Sequence, residues 1–91
     1  MGKVDCCSVS GLDMFFHSDD HGPPHVHVRR PGEWEIRVNL LLTTEAHLEF
    51  TVKWPLNLSN PKSQLRRKIC AAVVEHREAL LKEWDEKVID D

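Results

Sequence analysis

Histidines are the residues of this chain most able to do chemistry, and three of the six lie in the short segment His21-Gly22-Pro23-Pro24-His25-Val26-His27. His25 and His27 are two residues apart, so on a β-strand both side chains project to one side, with Cβ atoms about 6.6–7 Å apart. Two imidazoles at that separation can converge on one ion, because each Zn–N bond is about 2.0–2.1 Å long. The spacing is compatible with a site for a divalent metal such as zinc, although it makes no cofactor certain.

A metal held by two histidines needs further ligands, and the polar residues before the strand offer several candidates. These candidates are His17, Asp19, Asp20 and His21. We expect His21 to join His25 and His27 as a metal ligand, and we place Asp20 in the same binding site. A set of three protein ligands would leave a coordination position open for water activation.

The same histidines can also work without a metal. Two imidazoles beside an arginine supply a base, an acid and a phosphate clamp, which together suit RNA cleavage. The candidate catalytic residues in this case are His25, His27 and Arg29, with Arg37 as a second arginine. An ordinary exposed histidine pair is a third interpretation, so the residues leave open whether the protein is an enzyme.

Charge and hydropathy limit the partners. The net charge of the 91 residues is −3 with neutral histidines, and protonation of all six would bring it to +3 (−3 + 6). The charge therefore does not support a general nucleic-acid binder, although a nucleic-acid partner stays open. No apolar run approaches the roughly 18 residues that a membrane span needs, so we expect no membrane association.

The cysteines indicate a compartment rather than a function. Cys6, Cys7 and Cys70 are odd in number and lack the spacing of a disulfide framework. We expect free thiols in a reducing, cytoplasmic environment, and the sequence assigns no role to them.

Alternating hydrophobicity predicts the fold. Apolar residues recur at every second position in three stretches, which is typical of antiparallel strands with one buried and one solvent-exposed face. Residues 12–17 form a further short apolar run, and residues 1–10 are either disordered or an edge strand. We expect one α+β domain over residues 1–91, in which an antiparallel meander of three to four strands carries one C-terminal α-helix on one face.

The predicted helix spans about residues 61–87. Asn60 can cap it, and Pro61 suits the first helical position, where no N–H is needed. An apolar stripe follows the helical period through Leu65, Ile69, Ala72, Val73, His76, Leu80 and Trp84. We expect this stripe to cover the sheet, with His76 as a packed histidine away from the others.

The hairpin turn decides which way the histidines point. A two-residue turn would need positive φ at Pro31, which proline cannot adopt, so we expect a three-residue loop, Pro31 to Glu33. Val28 then faces Ile36, and Val26 faces Val38. This register predicts that His25, His27 and Arg29 lie on the solvent-exposed face of the sheet.

Two segments resemble a known family. The string Phe15-Phe16-His17-Ser18-Asp19-Asp20-His21-Gly22-Pro23-Pro24-His25-Val26-His27-Val28 and the helix end Glu75–Trp84 are similar to small prokaryotic proteins of domain-of-unknown-function family 4160. The resemblance covers roughly residues 10–86. The Cys6-Cys7 start and the longer link Trp54–Leu58 depart from the family pattern. The resemblance implies a small single-domain protein without an established activity, and membership in toxin–antitoxin-like gene pairs for some relatives.

Two functions follow from these patterns. We expect a small interaction module, one component of a toxin–antitoxin-like pair, because a single sheet with one helix leaves apolar edge for a protein partner or for self-association. The alternative is a metal-assisted or acid–base hydrolase, acting on RNA and centred on His25 and His27. An enzyme needs these histidines to converge in a concave site, whereas an interaction module does not.

Overall fold

The computed structural model describes residues 2–55 and 62–88. The described residues form an antiparallel sheet whose strands lie in chain order, followed by two helices. The elements are β1 (Gly2–Lys3), β2 (Asp13–Phe16), β3 (His25–Arg30), β4 (Trp34–Asn39), β5 (Phe50–Trp54), α1 (Ser63–Glu75) and α2 (Arg77–Lys87). The α+β class and the antiparallel meander are confirmed, but the expected three to four strands and single helix are wrong.

The additional strand is β1, at one edge of the sheet. Gly2 pairs with Phe16 and Lys3 with Phe15, so the edge-strand alternative for the first ten residues is the correct one. A strand of two residues is too short to show a period of two, which is why the alternation did not reveal it.

The helical region is interrupted at His76, where φ is −111° and ψ is 19°. The two helices stay linked by hydrogen bonds, since the His76 N–H donates to the Ala72 carbonyl at 3.0 Å and its own carbonyl accepts from Leu80 at 2.8 Å. The His76 side chain is 35% exposed, so its expected packing in the core is wrong. Asn60 and Pro61, the expected helix start, lie outside the described residues.

The β3–β4 hairpin has the predicted register. Val26 pairs with Val38 and Val28 with Ile36, across the loop of residues 31–33. Gly32 in that loop has φ of 77°, a conformation that glycine adopts without steric cost. Proline chemistry and apolar matching therefore placed every β3 side chain on the correct face of the sheet.

One face of the sheet forms the core with the helices. Val26, Val28, Ile36 and Val38 are fully buried there. They pack in one cluster with residues of β2, α1 and α2, namely Met14, Phe16, Ile69, Val73, Leu80 and Trp84. This packing is the expected burial of an amphipathic helical stripe against the apolar side of a sheet.

The opposite face is also buried along β3, which corrects the prediction of a solvent-exposed face. His25 is 6% and His27 only 1% exposed, and Arg29 is half-buried. The rings are enclosed by neighbours that the pattern of β3 does not encode. Phe15 stacks on His27 with 5.3 Å between ring centroids, and Trp84 lies 4.9 Å from His25.

Candidate metal centre

Strand β3 and the loop that precedes it bring two imidazoles and one carboxylate together. Asp20 Oδ2 lies 3.2 Å from His25 Nε2 and 3.0 Å from His27 Nε2. A tight turn fixes the carboxylate, because the His17 N–H donates to the same Oδ2 at 3.2 Å and the Asp20 N–H donates to the His17 carbonyl at 3.1 Å. Three nitrogen atoms therefore surround one carboxylate oxygen.

The tautomer of His25 is set by a contact with the backbone. Its Nδ1 lies 2.9 Å from the Pro23 carbonyl oxygen, and a carbonyl oxygen can only accept, so Nδ1 carries the hydrogen. In the neutral ring Nε2 then bears a lone pair, and this atom is buried without a hydrogen-bond partner. The lone pair of His25 and the carboxylate oxygen of Asp20 thus face each other at 3.2 Å, an arrangement that a cation between them stabilises.

His27 has a carboxylate on each side. Its Nε2 lies 3.0 Å from Asp20 Oδ2, and its Nδ1 lies 3.3 Å from Glu35 Oε2 without forming a hydrogen bond. A neutral imidazole has one N–H and can donate to only one of the two. Glu35 itself is 8% exposed. One of the two buried carboxylates therefore receives no hydrogen bond from the neutral His27 ring.

The distances fit a bound metal ion. Ligand atoms at a tetrahedral zinc with bonds of 2.0–2.1 Å are about 3.3 Å apart, close to the two nitrogen–oxygen distances of 3.0 and 3.2 Å. The ligand atoms of Asp20, His25 and His27 all lie within 4.8 Å of one another. Two histidines and one carboxylate are a donor set used by catalytic zinc and by non-haem iron.

The outer hydrogen bonds fit as well. Metal-binding histidines usually donate their other N–H to a carbonyl or carboxylate, which fixes the ring and its tautomer. The Pro23 carbonyl takes this position on His25, and Glu35 takes it on His27 once Nδ1 carries the hydrogen. Both rings can then direct Nε2 toward Asp20.

Burial and neighbouring groups shift the pKa values of Asp20 and His27. Burial alone would raise the pKa of Asp20, but the His17 N–H and then the His27 and His25 imidazoles outweigh it, so the pKa lies below its ordinary value. Burial lowers the pKa of His27, and Asp20 only partly offsets this. At neutral pH the site therefore holds an ionised carboxylate and a neutral imidazole, the forms that bind metals.

A second group shares His27. His17, His27 and Glu35 also bring one ligand atom each within 4.8 Å of the others, and the His17 ring packs edge-on against His27 at 4.3 Å. Since Glu35 lies at the Nδ1 side of His27 and Asp20 at the Nε2 side, the two groups use opposite nitrogens of the same ring. We regard Glu35 and His17 as the residues that orient His27.

A cleft of about 250 Å³ opens beside His25 on this face of the sheet. Its polar lining comes from the loop, from strands β4 and β5 and from the residue before β5, and includes His21, Arg37, Asn39, Glu49 and Thr51. His25 thus belongs both to the buried cluster and to the lining of this cleft.

The candidate residues from the sequence are only partly brought together. Asp20, His25 and His27 converge, whereas His21 is exposed on the rim of the cleft and belongs to neither ligand group among the described residues. Arg29 packs its guanidinium over Phe15, 5.0 Å from the ring centroid.

Glu35 is the residue that sequence reasoning missed. It pairs with Arg29 across the hairpin, on the same side of the sheet as His27. The predicted register already contained this neighbourhood, so the signal was an acidic residue on the histidine side of the adjacent strand.

The fold and the cluster define a small α+β protein with a buried histidine–carboxylate site on its sheet. The chain belongs to the family described as a domain of unknown function (DUF4160), whose model matches residues 11–85. No curated protein and no solved structure matches the chain. No helix of the described residues is long and apolar enough to cross a membrane.

Proposed function

We propose that the protein binds a divalent metal ion, with zinc as the first candidate, through Asp20, His25 and His27, and that it uses the ion for hydrolysis. One observation carries the proposal. His25 Nδ1 is held by the Pro23 carbonyl, so the buried, unpartnered Nε2 directs a lone pair at the Asp20 carboxylate 3.2 Å away. Burying two acceptors face to face is costly unless a cation lies between them.

Each residue has a distinct part. His25 and His27 supply neutral nitrogen ligands, and Asp20 supplies the negative charge that balances part of the cation. Glu35 orients the His27 ring by accepting a hydrogen bond from His27 Nδ1 once that atom carries the hydrogen. A divalent ion in such a site supplies an activated water and polarises a substrate oxygen, and the cleft beside His25 gives the substrate access.

Calorimetric titration of tag-free protein with zinc tests the binding. We expect one ion per chain with a sub-micromolar Kd, and a loss of more than about 100-fold in His25→Ala and Asp20→Asn, since each removes a direct ligand. Glu35→Gln removes only an orienting partner, so we expect a loss of about 10- to 100-fold. His76→Ala, a half-exposed histidine outside both ligand groups, is the matched control and should bind as the wild type does.

Two results would overturn the metal site. One is millimolar or non-stoichiometric binding by the wild type, and the other is equal weakening by His76→Ala and His25→Ala. Circular dichroism of each variant separates a lost ligand from a lost fold. If zinc does not bind and NMR shows both nitrogens of His25 protonated at neutral pH, a proton is the missing cation and the acid–base alternative replaces this one.

The hydrolase part needs its own assay. A panel of chromogenic acyl esters, glycosides and phosphate esters, incubated with metal-loaded protein and with a chelator, covers the main classes of hydrolysis. We expect one class to be turned over by the zinc- or manganese-loaded wild type and by His76→Ala, but not by His25→Ala. Turnover that persists unchanged in chelator would contradict a metal-assisted reaction.

Self-association is a second candidate function, favoured by one exposed apolar pair. Leu41 and Leu42 follow β4 and are 52% and 61% exposed, and their N–H groups are held by the Asn39 side chain at 2.9 and 2.8 Å. We expect weak dimers in sedimentation experiments that Leu42→Ser abolishes. A sedimentation coefficient that does not change with protein concentration would contradict this interaction module.

A further inference from the structure

Arg37 is a half-buried cation in the cleft beside the proposed metal centre. It lies in β4 with His27 and Thr51 as its neighbours on adjacent strands. Among the described residues, the Arg37 side chain has no hydrogen-bond or ion-pair partner. Arg29 and Arg30 on the next strand do have carboxylate partners, Asp13 and Glu33, so the position of Arg37 is not explained by pairing within the sheet.

Two neighbours of Arg37 add donors to the same cleft. The Asn39 side-chain oxygen accepts the N–H groups of Leu41 and Leu42, which leaves its NH₂ group as the remaining polar atom. Thr51 contributes an exposed hydroxyl from β5. The one carboxylate of this lining, Glu49, lies 3.0 Å from His47 Nε2, so a neighbouring imidazole faces its charge.

The arrangement suits a tetrahedral anion. A guanidinium matches two oxygens of a phosphate or carboxylate through parallel N–H bonds. A phosphate monoester has a third unesterified oxygen that can accept from Asn39 or Thr51 or face a cation, and a diester adds its ester oxygens, whereas a carboxylate has two oxygens in all. The cleft of about 250 Å³ is smaller than the sites of roughly 300–1,000 Å³ that enclose drug-sized ligands, so it accommodates one group of a substrate.

We infer that this cleft binds a phosphoryl group, with Arg37 as its anchor and Asn39 and Thr51 as additional donors, so that the substrate is a phosphate ester. The inference rests on the proposed hydrolase. In the reaction, the oxygen of one water forms a bond to phosphorus, the P–O ester bond breaks, and the leaving oxygen takes up a proton released by the water.

Titration with inorganic phosphate, followed by ¹H–¹⁵N NMR in chelator, tests the cleft without the metal. We expect saturable shifts that centre on Arg37, Asn39 and Thr51. Arg37→Gln should weaken binding at least about tenfold, and Arg37→Lys, which keeps the charge but loses the planar fork, should fall between the two. Arg30→Gln removes an exposed arginine of the same sheet, paired with Glu33, and should bind phosphate as the wild type does.

Three results would overturn the inference. They are an absence of saturable shifts, shifts that centre on the basic residues of α1, and equal weakening by Arg37→Gln and Arg30→Gln. Circular dichroism identifies any variant that fails to fold, and Arg37→Lys then takes the place of Arg37→Gln.

Zinc titrations of the same variants separate this inference from the proposed function. If Arg37→Gln binds zinc as the wild type does but loses phosphate, both are supported. If zinc binds at Asp20, His25 and His27 while no phosphate enters the cleft, the inference fails and the metal site stands. If phosphate binds but zinc does not, the cleft stands and the metal site fails.

Kinetics then identify the kind of ester. A phosphodiester, bis(p-nitrophenyl) phosphate, and a monoester, p-nitrophenyl phosphate, are compared in the metal-loaded protein. We expect Arg37→Gln to raise KM for the ester that is turned over, because it removes substrate binding while leaving the metal ligands in place. Turnover of acyl esters alone, with no effect of Arg37→Gln, would refute a phosphate substrate.

Discussion

The two faces of strand β3 are buried to nearly the same extent but carry opposite chemistry. Val26 and Val28 on one face are fully buried, and His25 and His27 on the other are 6% and 1% exposed. The valines lose water and gain dispersion contacts, which stabilises the fold. The histidines lose water and leave two nitrogen atoms without hydrogen-bond partners, which costs roughly 1–3 kcal/mol for each such group.

This contrast separates a face whose burial the core explains from a face with buried polar atoms that lack hydrogen-bond partners. Burial on the helix side is explained by the core that it forms. Burial on the histidine side is less well compensated, because among the described residues His25 Nε2 and His27 Nδ1 are buried beside Asp20 and Glu35 without a hydrogen bond. We therefore expect stability to respond to different treatments on the two faces.

The largest expected effect is on the apolar face. Ile36→Ala removes a fully buried side chain and should lower the free energy of unfolding by about 2–5 kcal/mol, with Ile36→Val costing about 0.5–1.5 kcal/mol. Urea denaturation measures both. Zinc binding by these variants should be unchanged if their fold persists, and a large loss of zinc affinity in Ile36→Val would mean that the two faces are not independent.

The sequence predicted the chemistry of each face better than its exposure. The β3–β4 register followed from Pro31 and from apolar matching, so the shared side of His25, His27 and Arg37 was predictable. The burial of that side was not, because it comes from Phe15, from the loop that carries Asp20 and from Trp84, which no pattern within β3 encodes.

Two other deviations lie at His76 and in β5. The break at His76 has no proline or glycine to announce it. It coincides with the Arg77 guanidinium donating to the Thr43 carbonyl, a contact between residues distant in sequence. In β5 a register shift pairs Trp54 with Glu35 although Val52 pairs with Ile36. A bulge of this kind redirects the side chains beyond it, so the regular alternation through Trp54 failed there.

Metal binding should stabilise only through the histidine face. At a zinc concentration of 100 times Kd, the free energy of unfolding should rise by about 2.7 kcal/mol, because the ion binds the folded state. Thermal denaturation with and without zinc measures the change. The increment should be present in the wild type and in Ile36→Val and absent in His25→Ala. An equal increment in His25→Ala would place the bound zinc elsewhere.

Unlike Asp20 and Glu35, the buried acid Glu83 has several hydrogen-bond donors for its carboxylate. Glu83 on α2 is 8% exposed, and it accepts from the N–H groups of Asp5 and Cys6 at 2.8 and 2.9 Å and from Lys87 Nζ at 2.7 Å. Burial alone would raise its pKa, but the hydrogen bonds from Lys87, Cys6 and Asp5 lower it from 4.5 to about 2. Among the described residues, Asp20 has only the His17 N–H and the His27 ring as hydrogen-bond partners, and the Glu35 carboxylate forms no hydrogen bond with His27.

Replacing Glu83 should therefore be moderately costly and should change the acid response. Glu83→Gln leaves two backbone N–H groups with a weaker acceptor, and we expect a loss of about 1–3 kcal/mol at neutral pH. Because the folded-state pKa is depressed, this stabilisation is fully present above pH 4.5 and is lost as the pH falls toward 2. Urea denaturation between pH 2 and 7 should show a shallower acid loss in Glu83→Gln; parallel curves would contradict the linkage.

The smallest effect is expected where an ion pair is short but exposed. Arg30 Nε lies 2.6 Å from Glu33 Oε2, yet the two side chains are 48% and 59% exposed. Water screens such a pair, so Glu33→Gln should change the free energy of unfolding by at most about 1 kcal/mol, and by less at high salt.

The contacts of His25 and His27 with Asp20 and Glu35 are longer, at 3.0–3.3 Å, but they are buried. If burial rather than distance sets their strength, metal-free Asp20→Asn and Glu35→Gln should each shift the urea midpoint more than Glu33→Gln. An equal shift in all three would mean that the histidine face is as well solvated as the loop, and the case for a cation there would fail with it.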